Sequence, residues 1–167
     1  IYHEGKYVDR DIDQSIHYYK EASSLNHNYS KNNLGIIYKH GFDNKIQKRI
    51  GLAIEYFKEA IKQKNDIVSM YNLAHLYLYE NPIEGFIDKS IELLIKSLKR
   101  GFSQSIYILC LALIKKVEDN LLNIQNILDD HNISNELSLK IVEIINKWIF
   151  NDSFNEEYLY YQSIDFI

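Results

Sequence analysis

One eight-residue stretch, Ala53-Ile-Glu-Tyr-Phe-Lys-Glu-Ala60, decides the fold, because related copies of it stand at two other places in the chain. The copy Ser15-Ile-His-Tyr-Tyr-Lys-Glu-Ala22 begins 38 residues earlier, and Ser90-Ile-Glu-Leu-Leu-Ile-Lys-Ser97 begins 37 residues later. A period of this length, carried by small and aromatic residues at helical spacing, is typical of stacked helical hairpins rather than of a single closed core.

A second motif precedes two of these copies and recurs once more further along the chain. Its three versions are Asn32-Asn-Leu-Gly-Ile-Ile-Tyr38, Tyr71-Asn-Leu-Ala-His-Leu-Tyr77 and Tyr107-Ile-Leu-Cys-Leu-Ala-Leu113. The residue after the shared leucine is always small (Gly35, Ala74 and Cys110). A small residue lets a neighbouring helix approach closely, while the leucine and the residue four positions later fill one face of the helix. Each repeat is therefore predicted to be a pair of helices.

These motifs resemble the Sel1-like repeat family, which is related to the tetratricopeptide repeats. The most complete match to the family pattern is made by Leu34, Gly35, Tyr38, Gly41, Ala53, Tyr56, Phe57 and Ala60. The 18 residues from Gly35 to Ala53 exceed the spacing of a tetratricopeptide hairpin and favour the Sel1-like family. The resemblance covers roughly residues 1 to 117. It implies an all-α fold, a right-handed α-solenoid of stacked antiparallel helix hairpins.

The pattern predicts eight helices and three segments. The helices are expected at about 12–26, 29–40, 50–64, 67–80, 87–100, 103–117, 120–130 and 134–150. Residues 1–117 would form the repeats, the first of which is truncated at its N-terminus because residues 1–5 match the end of a helix. Residues 118–150 would form divergent capping helices that cover the last repeat. The aromatic-rich segment 151–167 would pack on these caps, on a neighbouring chain or missing domain, or on the groove of its own chain.

Composition argues against several classes of function. The formal charge of −4 and the pI near 5.9 do not suit a general nucleic-acid surface, which needs net positive charge to release counterions from phosphates. The sequence contains no run of about 18 apolar residues, so no membrane segment is predicted in this fragment. Cys110 is the single cysteine, so no internal disulfide can form, which favours a reducing compartment such as the cytoplasm and otherwise leaves the localisation open.

No motif for catalysis or for metal binding stands out. Asp9-x-Asp11-x-Asp13 begins like a calcium loop, but Gln14 replaces the required glycine and Lys20 replaces the bidentate glutamate. These aspartates are better explained as helix caps. The six histidines have no metal-ligand spacing, and no nucleophile with an evident base is present. The chain is predicted not to be an enzyme and to need no cofactor.

The resemblance instead indicates a surface for a protein partner. Related repeats present three positions of each first helix on the concave face: two before the conserved leucine, two after it and five after it. In this chain those positions are Asn32, Ile36, Lys39, Tyr71, His75, Leu78, Tyr107, Leu111 and Ile114. Tyr79 is added because exposed aromatic residues are enriched where partners bind. The alternative is that these aromatic side chains pack between adjacent helices.

Two functions remain open at this point. The first is a non-catalytic scaffold or adaptor that binds a protein partner through the concave face or an edge of the stack and can assemble into a larger complex. The second is a structural or regulatory arm of a larger enzyme whose catalytic part lies outside this segment. The sequence names neither the partner nor the pathway.

Overall fold

The computed structural model describes residues 11–42, 45–80, 85–117 and 121–150. The eight helices in these ranges are α1 (Ile12–Ser24), α2 (Asn28–His40), α3 (Ile50–Lys64), α4 (Ile67–Tyr79), α5 (Phe86–Leu98), α6 (Ser105–Val117), α7 (Leu121–Asp130) and α8 (Asn135–Phe150). Outside the helices, an isolated antiparallel bridge joins Phe42 to Ile46 in the α2–α3 connection. The prediction of eight helices is confirmed, and each end lies within two residues of its predicted position.

The helix ends follow local chemistry. Asp11 is the N-cap of α1, and its carboxylate accepts a hydrogen bond from the backbone N–H of Gln14 at 3.0 Å. Asp88 lies in the first turn of α5, where a negative charge meets the positive end of the helix dipole. Helix capping was the predicted role of Asp11.

Among the described residues, six connections between consecutive helices each contain one residue with positive φ. In those that follow α1, α3, α5 and α7 the residues are Asn26, Asn65, Gly101 and Asn132, with φ of 62°, 53°, 91° and 51°, and in those that follow α2 and α4 they are Gly41 and Gly85, with φ of 72° and 84°. Asparagine and glycine tolerate this conformation better than other residues do. Gly101 follows the end of α5, as is common for glycine, and its N–H donates to the carbonyl of Leu98 at 2.9 Å.

The chain divides between Leu76 and Tyr77 into two compact units. In the first unit α2 contacts both α1 and α3, and Phe57 of α3 is fully buried. Gly35 of α2 lies against the ring of Phe57, so closely that a Cβ atom on this glycine would stand 2.5 Å from the ring atom Cε1. The predicted role of a small residue after the repeat leucine is thus confirmed at Gly35.

A buried polar cluster joins α2 to α4 in the same unit. The side-chain oxygen of Asn32 accepts one hydrogen bond from the hydroxyl of Ser69 and another from the amide of Asn72, both at 3.0 Å. All three side chains are buried. Because an unpaired polar group in the interior is costly, this cluster fixes the register of α4 against α2.

In the second unit α6 is the central helix and contacts α5, α7 and α8. The thiol of Cys110 lies 3.9 Å from the backbone carbonyl of Ile141 in α8. At the other end, the ammonium of Lys99 donates to the backbone carbonyl of His131 at 2.6 Å, which ties the end of α5 to the end of α7. Like Gly35, Cys110 fills a small-residue position, and it is fully buried.

The structure does not test every part of the predicted domain organisation. The expected partial helix at residues 1–5 and the aromatic segment 151–167 lie outside the described residues. The proposed boundary between repeats and capping helices near residue 117 stays a prediction.

Candidate partner-binding surface

Helices α4 and α6 are buried on most sides and reach solvent mainly along one stripe each. On α4 the residues of this stripe are Tyr71, His75 and Tyr79, and on α6 they are Tyr107, Leu111 and Lys115. Each set is spaced by four residues, so its members follow one another along one side of the helix. The two sets are also equivalent in the repeat, because Leu73 and Leu109 occupy matching positions.

In the first unit, Tyr71 and His75 of the α4 stripe form what we call the α4 surface. Both side chains are half-buried, and their ring centroids lie 6.5 Å apart with the planes tilted by 46°. The two rings adjoin each other, and each residue keeps part of its surface in water.

The second unit contributes what we call the α6 surface, made of Tyr79, Tyr107, Leu111, Ile114 and Lys115. Tyr79 is 37% exposed, and the ammonium of Lys115 lies 4.9 Å from the centre of its ring. Burial raises the pKa of the Tyr79 phenol, so the ring stays neutral and meets the lysine through a cation–π contact. Tyr107, Leu111 and Ile114 are half-buried and make the rest of the α6 surface apolar.

Neighbouring contacts hold the end of the α6 surface in place. Phe86, the first residue of α5, stacks on Tyr77 with ring centroids 4.6 Å apart, and the ammonium of Lys89 lies 4.9 Å from the centre of the Phe86 ring. Lys116 of α6 forms an ion pair with Asp88 in the first turn of α5. These contacts attach α5 to the ends of α4 and α6 beside Tyr79.

Four of the predicted partner-binding residues are buried in the structure. The exposed fractions of Asn32 and Lys39 are each 4%, that of Ile36 is 5% and that of Leu78 is 4%. For Asn32 the reason is its pair of hydrogen bonds to α4. In this structure these side chains contribute to packing, whereas Tyr71, His75, Tyr79, Tyr107 and Leu111 keep part of their surface in water.

The last position of the exposed stripe lies one residue further along each helix than the family pattern implies. Five residues after the repeat leucine, Lys39 and Leu78 are buried and Ile114 is half-buried. Six residues after it, the side chains of His40, Tyr79 and Lys115 are exposed. Lys115 was missed by the sequence analysis, although its spacing of four from Leu111 was a signal that could have found it.

Other exposed apolar side chains were also not singled out from the sequence. They are Tyr18 in the middle of α1, Leu25 and Tyr29 at the connection between α1 and α2, and Leu139 of α8. Leu25 is 82% exposed and stands where the next repeat has the polar residue Gln63, so comparison of the repeats would have identified it.

The chemistry available in the described ranges is limited. No group of three or more His, Cys, Asp or Glu side chains there could hold a metal ion. Burial raises the pKa of the Cys110 thiol to about 12, so this cysteine stays protonated at neutral pH and is a poor nucleophile. Asp9 of the aspartate motif lies outside the described residues. None of the helices that the structure describes is long and apolar enough to cross a membrane.

Comparison with known proteins identifies the repeat. A model of the Sel1 repeat matches residues 1–27, 29–65 and 67–102, which together make up more than half of the chain. The three matches correspond to α1, to the α2–α3 hairpin and to the α4–α5 hairpin. No curated protein matches this chain.

Two solved structures have a similar fold. One is c5321, a protective antigen present in uropathogenic Escherichia coli strains that displays an SLR fold, with a TM-score of 0.63 and 19% identity over 70% of this chain. The other is a Sel1 repeat protein from Oxalobacter formigenes, with a TM-score of 0.61 and 14% identity over 87% of this chain. The chain spans 24% of the length of the first and 54% of the second. These similarities confirm the predicted all-α solenoid fold.

Proposed function

Because the chain belongs to the Sel1 repeat family, whose repeats generally act as protein–protein interaction modules, we propose that it is a non-catalytic scaffold that binds a protein partner. We place the main contact on the α6 surface in the second unit. The α4 surface in the first unit is a separate candidate contact. The assignment of these positions to the concave face of the stack stays a prediction from the family pattern.

The observation that supports the α6 surface is its combination of aromatic and aliphatic side chains at one exposed stripe. Tyr79 and Tyr107 offer large rings with few rotatable bonds, which gain contact area at small entropic cost. Lys115, held over the Tyr79 ring, adds a charge at the edge of the apolar area. Apolar centres with polar margins are the usual composition of protein interfaces.

Site-specific photocrosslinking tests the proposal. Benzoylphenylalanine replaces Tyr107 in one variant and Tyr29 in a matched control, since Tyr29 is 65% exposed on α2 and lies outside the proposed surface. We expect a discrete crosslinked protein at position 107 and none at position 29. Substitution Leu111→Ala should then weaken binding of that protein about tenfold, as for a central interface residue, without unfolding the chain.

Two results would contradict the proposal. One is equal crosslinking at positions 107 and 29, which would indicate non-specific contact. The other is a partner whose affinity is unchanged in both Leu111→Ala and Tyr79→Ala while circular dichroism shows the native helix content.

A further inference from the structure

Helix α8 carries the same motif as the first helices of the earlier repeats. Leu137 is followed by the small residue Ser138, and Ile141 stands four positions after the leucine, as Leu113 does in α6. Ser138 is 3% exposed and Ile141 is fully buried, so both side chains face the interior, as the matching residues of α6 do. Leu137 departs from the earlier repeat leucines in being half-buried. The motif indicates that α8 is the first helix of a further repeat.

Equivalence of the repeats assigns an exposed stripe to α8 as well. The positions two before, two after and six after the leucine are Tyr107, Leu111 and Lys115 in α6 and Asn135, Leu139 and Glu143 in α8. All three of the α8 positions are exposed. Leu139 is 70% exposed, and it and Tyr79 are the large hydrophobic side chains that the described part of the second unit leaves exposed. Leu139 therefore occupies in α8 the position that Leu111 has in α6.

Helix α8 lies beside α6 and runs parallel to it. The helices α6, α7 and α8 contact one another, and the two short connections between them each reverse the chain direction. The thiol of Cys110 lies 3.9 Å from the carbonyl of Ile141, which sets the level of α8 against α6. Leu139 precedes Ile141 by two residues, or roughly 3 Å along the axis, whereas Tyr107 precedes Cys110 by roughly 4.5 Å. Leu139 thus lies at a height between Tyr107 and Leu111 and extends the apolar area from α6 to α8.

The charges on these two stripes leave one cation available to a partner. The carboxylate of Glu143 accepts a hydrogen bond from the ammonium of Lys147 at 2.7 Å, so its charge is compensated within α8. Lys115 is exposed, and its ammonium meets the ring of Tyr79 and no carboxylate of the described residues. A cation at the edge of an apolar area is complementary to a carboxylate beside an apolar side chain.

From this arrangement we propose that α6 and α8 together bind an acidic, apolar segment of the protein partner. An aliphatic or aromatic side chain of this segment packs between Leu111 and Leu139, whose helices lie roughly 8–10 Å apart. A carboxylate of the same segment pairs with Lys115, which is four residues, or roughly 6 Å, further along α6 than Leu111. The inference rests on the proposed function, because it specifies the chemistry of the partner that binds the α6 surface.

Peptide selection on the purified chain tests the charge of the partner. The probe is a phage-displayed library of short random peptides, which is selected in parallel on the wild type and on Lys115→Glu. We expect the wild type to select peptides that combine apolar residues with Asp or Glu, and Lys115→Glu to select Lys or Arg in their place. Lys62→Glu makes the same change of charge on an exposed side chain of the first unit, and it should select the acidic peptides of the wild type.

The affinity of the selected peptides tests the apolar contact. Leu139→Ser should weaken their binding about tenfold, as for a residue near the centre of an interface. It should leave the helix content unchanged, because the side chain is mostly exposed. Leu25→Ser is the matched control, since Leu25 is 82% exposed in the first unit, and it should bind the peptides as the wild type does. Fluorescence polarisation of labelled peptides measures both affinities.

Several results would overturn the inference. They are a selection without enriched peptides, enriched peptides without Asp or Glu, and equal affinity of the selected peptides for the wild type, Leu139→Ser and Lys115→Glu. A dimer of the wild type that is lost in Leu139→Ser on sedimentation would make a second copy the occupant and would also overturn it.

The two proposals fail in different ways. A protein that crosslinks at position 107 and requires Leu111, but binds Leu139→Ser and Lys115→Glu as it binds the wild type, leaves the proposed function standing and refutes this inference. Acidic peptides that depend on Leu139 and Lys115, with no protein captured at position 107, do the reverse.

Discussion

At the scale of single residues, Gly35 packs tightly against the ring of Phe57 in the first unit. An alanine at position 35 would place its Cβ atom 2.5 Å from the Phe57 ring, and Phe57 is fully buried and has little room to move. We expect Gly35→Ala to destabilise the protein by about 1–2 kcal/mol, because overpacking outweighs the gain of about 1 kcal/mol in helix propensity. Denaturant unfolding followed by circular dichroism measures the change.

Gly51 provides the matched control for this substitution. It also lies in a helix, α3, but a Cβ atom there would meet nothing within 4 Å. Gly51→Ala should therefore leave the stability unchanged or raise it by up to about 1 kcal/mol. Equal stabilisation of both variants would contradict the close approach of α2 to α3 at Gly35.

A second prediction at this scale concerns the alkaline side of the pH profile. The pKa of Cys110 is raised by burial from 9.0 to about 12. Between these values the unfolded chain loses the thiol proton while the folded chain keeps it, so stability falls as the pH rises and is unaffected by this group below pH 9. Between about pH 9 and pH 10, we expect the free energy of unfolding of the wild type to fall by about 1 kcal/mol more than that of Cys110→Ala.

Alanine is a suitable replacement because Ala74 occupies the equivalent position in the preceding repeat. Tyrosines and lysines titrate in the same range, but they are common to both proteins and cancel in the comparison. Parallel pH profiles for the two proteins would show that the thiol is not buried in the folded state. Alkylation by iodoacetamide gives an independent check, since the buried thiol should react only after unfolding.

At the scale of helices, the sequence was sufficient to predict where each element begins and ends. Comparison of equivalent positions in several repeats resolves assignments that are ambiguous in any one segment. The signals for the helix ends are local, such as the carboxylate of Asp11 before α1 and Gly101 after α5. The left-handed Asn26, Asn65 and Asn132 were not singled out, although asparagine in a short connection is a known signal for this conformation.

The orientation of each helix about its own axis was predicted less well. The family pattern marks Lys39 and Leu78 as surface positions, but both are buried, and the exposed position is the next one along the helix. The rotation depends on which neighbours cover a helix, and those contacts join residues far apart in the chain. The buried bonds from Asn32 to Ser69 and Asn72 are an example, since the partners are 37 and 40 residues away.

The aromatic part of the candidate surface, by contrast, could be predicted. Tyr71, Tyr79 and Tyr107 keep partial exposure, and the sequence already indicated them as aromatic residues on the first helix of each repeat. Their role in binding a partner stays a prediction. The contact between Lys115 and Tyr79 could not be foreseen, because it joins side chains that are 36 residues apart in the chain.

At the scale of the whole molecule, the repeats imply stability that is distributed along the chain. In repeat proteins each repeat contacts its sequence neighbours, so the stability is close to a sum of local and nearest-neighbour contributions. Contacts among the described helices follow this order: α2 with α1 and α3, and α6 with α5, α7 and α8. A change in one repeat should therefore affect nearby helices first.

Hydrogen exchange of the Gly35→Ala variant tests this expectation, because the substituted residue and its contact Phe57 both lie in the first unit. Since local openings draw on the stability of the contacts around them, amides of α1, α2 and α3 should lose protection, by about tenfold for a loss near 1.4 kcal/mol. Amides of α7 and α8 in the second unit should keep nearly their wild-type protection. Mass spectrometry of peptic peptides resolves these helices, and Gly51→Ala supplies the reference with an intact Gly35–Phe57 contact. An equal loss of protection in every helix would mean that the chain unfolds as one cooperative body, as a closed globular core does.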